Sequence, residues 1–160
     1  LDKVVLHEMM HTLGFGTIWG PGYQAEVASP TGADPRYLGT SGQAGYAAIG
    51  GTDGATGVPV ENTGGNGTRG SHWREASLFT ELMTGWADGA MPMSRATVGA
   101  LRDFGYDVDV TRADPFMLPG SLQGSSLRAP GSQIGETMVA PIGILVKDGR
   151  IAPVSGLPVH

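Results

Sequence analysis

The run His7-Glu8-Met9-Met10-His11-Thr12-Leu13-Gly14 constrains this chain more than any other feature. In a helix, positions i and i+4 share a face, so His7 and His11 present two imidazoles to one place. Glu8 lies one step round the cylinder, close enough to reach a water there without being a ligand itself. The neighbours are apolar on most sides: Leu6, Met10 and Leu13 form one stripe, Val5 and Met9 another. A helix apolar nearly all round is expected to be buried, with His7, Glu8 and His11 facing an internal site. Gly14 is placed to end the helix in the left-handed conformation that other residues adopt only at a steric cost.

At 160 residues the chain can bury one core. Its 27 glycines and 11 prolines demand a loop-rich architecture, and with the helices and hairpin read below the expected fold class is α+β. A net charge of −5, with 10 basic residues scattered singly, argues against a nucleic-acid partner. No apolar run approaches a membrane span. Residues 15–70 are weakly periodic, with turn signals at Pro21-Gly22, Asp53-Gly54 and Asn66-Gly67 and a short helix expected around residues 44–49. A loop of that length inside a compact domain is uncommon unless it serves a function. Order returns at residues 71–75 and continues through Leu82-Met83 to a turn at Thr84-Gly85. Ser94 reads as the N-cap of a second helix whose core face is Val98, Leu101 and Phe104 and whose stop is Gly105. Residues 119–132 read as a linker, and apolar runs on either side of Asp148-Gly149 predict a β-hairpin.

The helix motif carries an expectation about the rest of the site. H-E-x-x-H recurs in zinc peptidases because two ligands and a base fall on one helical face. A catalytic zinc usually takes three protein ligands and leaves a fourth position for water. With no cysteine in the chain, thiolates are excluded. Of the two remaining histidines, His160 is the last residue and makes a poor ligand. His72, beside apolar and aromatic sequence that can fix its ring, is the expected third. Glu75 or Glu81 could take its place, as a carboxylate does in thermolysin-type sites.

Taken together, these residues resemble the leishmanolysin family of metzincin zinc peptidases. Most metzincins place the third histidine six residues after the second; here that position is Thr17. Leishmanolysin-like enzymes instead carry an insertion of about sixty residues before it. Ser71-His72-Trp73-Arg74-Glu75 and Glu81-Leu82-Met83-Thr84-Gly85 are similar to that family's third-ligand and Met-turn segments. Val58-Pro59-Val60-Glu61-Asn62 and the segment Leu101-Arg102-Asp103-Phe104-Gly105-Tyr106 are similar as well. The resemblance covers residues 1–116 and leaves 117–160 as a Gly/Ser/Pro-rich tail.

The resemblance implies a secreted or cell-surface zinc endopeptidase acting on peptides or proteins. It implies one Zn2+ on His7, His11 and His72, with Glu8 as general base. Met83 would pack beneath the metal, and residues 86–93, Trp86 among them, could wall the pocket. Two departures matter. The N-terminal sheet of metzincins is not in this sequence, so the chain is expected to be part of a larger catalytic domain, paired with that missing portion. The lack of cysteine resembles bacterial relatives more than the disulfide-rich protozoan ones. Some metzincins carry a tyrosine two residues past the Met-turn methionine, where this chain has Gly85. A rival from another class is a non-catalytic module that binds zinc or peptide without hydrolysing it.

Overall fold

A computed structural model of the chain describes residues 2–19, 27–28, 32–119, 132–134, 144–147 and 150–153. Helix α1 spans Asp2–Thr12. It closes as the sequence predicts: Gly14 adopts φ +110°, its N–H donates to His11 O, and Phe15 N–H donates to Met10 O. These two bonds satisfy carbonyls that the last helical turn would otherwise leave open.

The described residues of the glycine-rich stretch hold more regular structure than its periodicity suggests. Strands β1 (Val27–Ala28), β2 (Arg36–Tyr37) and β3 (Val58–Pro59) form an antiparallel sheet in chain order. Helix α2 runs Thr40–Ala48, beginning four residues before the short helix expected at 44–49. Thr40, Ser41, Gly42 and Gly45 are poor helix formers, which hides it from a propensity reading. The glycines serve close packing instead: a Cβ on Gly45 would lie 2.1 Å from Arg95 O. The first turn of α2 is capped from a distance, with the Asp103 carboxylate accepting from Ser41 N–H, Gly42 N–H and Tyr37 Oη–H at 2.8 to 3.0 Å.

After the short helix α3 (Glu75–Leu78) come β4 (Trp86–Ala87) and helix α4 (Arg95–Asp103). Ser94 does precede α4, but its side chain makes no capping bond. Its backbone N–H and the Thr97 hydroxyl donate instead to the buried Glu81 carboxylate. Gly105, at φ +98°, ends the helix as expected.

The core is built round Trp73, whose ring packs against Phe15, Trp19 and Tyr37 at centroid separations of 4.9 to 5.4 Å. Backbone bonds tie Trp73 to its neighbours: Trp73 N–H donates to Met83 O, Glu61 N–H to His72 O, and Arg74 N–H to Pro59 O. Single β-bridges place Val60 and Thr84 on either side of Trp73, and His72 is held next to them.

The expectation that α1 is buried on all sides needs correction. Val5 is 52% and Met9 55% exposed, and Leu13 is 39% exposed, whereas His7, Met10 and His11 are buried. At about 100° per residue, Val5 and Met9 lie opposite His7 and His11. Turning the histidines inward therefore turns those two outward.

Beyond Phe116 the chain returns to this body, with Leu118 N–H donating to Ile49 O. Strand β5 (Ser132–Gln133) pairs antiparallel with β4. Strands β6 (Ile144–Lys147) and β7 (Arg150–Pro153) pair antiparallel with Lys147 opposite Arg150, the hairpin expected around Asp148-Gly149. Most of the expected linker, 119–132, and His160 lie outside the described residues.

Candidate metal centre

Three histidines from two distant parts of the chain meet at one point. His7 and His11 come from consecutive turns of α1, and His72 from the bend immediately before the bridged Trp73. Their Nε2 atoms lie 3.1 Å (His7–His11), 3.2 Å (His7–His72) and 3.1 Å (His11–His72) apart. All three side chains are buried.

The opposite ring nitrogens explain how the rings are aimed. Nδ1 of His7 lies 2.6 Å from Leu82 O, that of His11 2.7 Å from Phe15 O, and that of His72 3.0 Å from Thr68 O. A carbonyl oxygen can only accept, so in each ring Nδ1 carries the proton and Nε2 keeps its lone pair. Ser71 Oγ, also 3.1 Å from His72 Nδ1, donates its own hydrogen to Gly67 O, which is consistent with that tautomer.

Three lone pairs facing one another repel unless a cation sits among them. Ligands bound at 2.0–2.1 Å to a tetrahedral zinc lie about 3.3 Å apart, so separations of 3.1 to 3.2 Å fit that span closely. Neutral imidazoles suit zinc and several other divalent transition metals. The cluster can therefore hold a metal ion, and among the described residues its members are His7, His11 and His72.

The other sequence candidates fall in different places. Glu8, expected to face an internal site with the two histidines, is instead exposed on α1, one step round the helix from the buried His7. Glu75 and Glu81 are buried but are not members of the histidine cluster. Burial pushes the Glu81 carboxyl above the usual carboxylate range, against the opposing pull of bonds from Thr97, Met83 and Ser94. Met83 is fully buried in the core. Trp86 is half-buried in β4, alongside β5. Gly85 packs against the third histidine: a Cβ there would come 2.4 Å from Thr68 Cγ2 and 3.8 Å from His72 Cγ.

Sequence reasoning had no means of naming the carbonyls of Leu82, Phe15 and Thr68. The general signal was available, since a metal-binding histidine almost always donates its other N–H to an acceptor. A backbone acceptor, however, is not encoded in residue type.

A family model described as leishmanolysin matches residues 1–127. The chain belongs to the leishmanolysin family. Members of this family are zinc-dependent metallopeptidases. A leishmanolysin homolog of Crithidia fasciculata is 41% identical over 56 residues, which is 35% of this chain and 8% of that protein. The matched segment is thus a small part of its leishmanolysin relative. No solved structure matches the chain.

Proposed function

We propose that this chain carries the catalytic centre of a zinc-dependent endopeptidase, with His7, His11 and His72 as ligands of one Zn2+ and Glu8 as general base. The observation that carries the reading is the convergence of three Nε2 atoms within 3.2 Å, each ring fixed from behind by a carbonyl. Bound there, Zn2+ supplies Lewis acidity that polarises a peptide carbonyl and acidifies water.

The chain's own residues do the remaining work. The Leu82, Phe15 and Thr68 carbonyls hold the rings in the tautomer that leaves Nε2 available for the metal. Glu8, next to His7 and open to solvent, takes a proton from the attacking water on a carboxylate oxygen and returns it to the leaving amine nitrogen. Met83 packs the floor of the centre as a polarizable filler. Substrates are peptides or proteins, met outside the cell or at its surface. Residues 1–116 supply the metal-bearing part of the domain and 117–160 a tail.

Glu8→Gln in the full-length protein tests the assignment. Zinc content should stay at the parent level while peptide hydrolysis falls by a factor on the order of 10² to 10⁴. Full turnover in Glu8→Gln would remove Glu8 from the mechanism.

A further inference from the structure

Glu81 is a fully buried carboxylate that the proposed chemistry does not use. Isolation in the core would be costly, and three donors offset it. Met83 N–H donates to one oxygen at 2.6 Å, while Ser94 N–H and the Thr97 hydroxyl donate to the other at 2.8 and 2.6 Å. Thr84 N–H and its hydroxyl also bond the Glu81 carbonyl, closing the turn 81–84. The carboxylate thus pins this turn to the first turn of α4.

The pinned residues bear on two of the three histidines, on one through its ring and on the other through the next residue's backbone. Leu82 O accepts from His7 Nδ1 at 2.6 Å, and Met83 O accepts from Trp73 N–H at 2.9 Å, the residue after His72. A second route reaches the same place, because Thr97 Oγ1 accepts from Trp73 Nε1 at 2.8 Å while donating to Glu81. Two histidines separated by 65 positions are therefore registered on one turn.

We propose that Glu81 is a positioning residue for the metal centre: by fixing the Leu82 and Met83 backbone it sets the ring of His7 and the seat of His72. The proposal rests on the metal-centre reading. It separates Glu81 from a carboxylate that merely stabilises the fold, such as Asp103, which caps α2 without touching the turn 81–84.

Zinc affinity of the full-length protein, measured by competition with a chromophoric chelator, tests it alongside the visible spectrum of the Co2+-substituted protein. In Glu81→Gln the amide NH2 can replace only one oxygen, so a donor must face a donor and the turn must shift. Expected are a 10- to 100-fold loss of zinc affinity, the range for disturbed outer partners of metal ligands, and an altered Co2+ spectrum. Asp103→Asn should lower the urea midpoint while leaving zinc affinity and the Co2+ spectrum unchanged. Should Glu81→Gln fail to fold, Thr97→Val decides, with a smaller loss of affinity expected in the same direction. Parent-like affinity and spectrum in the folded variant would reduce Glu81 to a fold residue and overturn the proposal. A parent protein that binds no zinc would overturn it together with the metal reading beneath it.

Discussion

Gly16→Ala puts the link between local backbone and metal site under the sharpest test. Gly16 follows Phe15, whose carbonyl orients His11, and it sits at φ +73°. A Cβ built there would lie 2.1 Å from the carbonyl oxygen of Ser71, the residue before His72. Ordinary contact begins near 3.4 Å, so the two backbones must part by about 1.3 Å. Neither side is a flexible side chain that could swing away. The left-handed conformation costs a non-glycine residue roughly 1 kcal/mol, and overpacking of a tight contact costs roughly 1–3 kcal/mol. A loss of about 2–4 kcal/mol in unfolding free energy is therefore expected, read from urea curves at constant slope. The same displacement pulls His72 away from His11, so zinc affinity should fall at least tenfold even in the folded fraction. A variant with parent stability and parent affinity would refute the claim that this backbone contact positions the third histidine.

Two further outcomes follow from the packing. Gly99→Ala on α4 would bring a Cβ to 2.3 Å from Ser41 O on α2, so the helices must separate. The variant should lose about 1–2 kcal/mol of stability despite a helix-propensity gain of up to about 1 kcal/mol, and a stabilised protein in urea titrations would show that the helices do not touch there. Burial and the hydrogen bond to Asp53 push the Tyr46 phenol up to about 12. Its neutral form is favoured in the fold, so its contribution is complete below the ordinary tyrosine value near pH 10 and is lost as pH rises from about 10 to about 12. Tyr46→Phe should flatten part of the decline in urea midpoint across that window; an unchanged slope would contradict the assignment.

What the sequence made legible was local. The i, i+4 histidines, Gly14 after α1 and Gly105 after α4 are short-range signals, and each appears where its chemistry requires. Elimination points to His72, because cysteine is absent and only one other histidine remains, and the structure brings its ring to the other two. Long-range substitutions for local signals were not legible. Ser94 looks like a cap, but Glu81, thirteen residues earlier, accepts the bonds. The start of α2 carries no local cap, because Asp103 provides one from α4. Gly45 reads as loop because the reason for it, close approach to Arg95 on another helix, lies fifty residues away. The exposure of Val5 and Met9 is hidden for a related reason: composition says how apolar a helix is, but the histidines decide which side faces in.

X-ray absorption at the zinc edge, paired with elemental analysis of the full-length protein and its His72→Ala variant, tests the central claim most directly. The parent should hold one zinc per chain with three imidazole nitrogens at about 2.0–2.1 Å. His72→Ala should lose zinc under conditions where the parent keeps it, or retain it with one imidazole fewer. An unchanged zinc environment in His72→Ala, or a parent that takes up no zinc, would contradict the account.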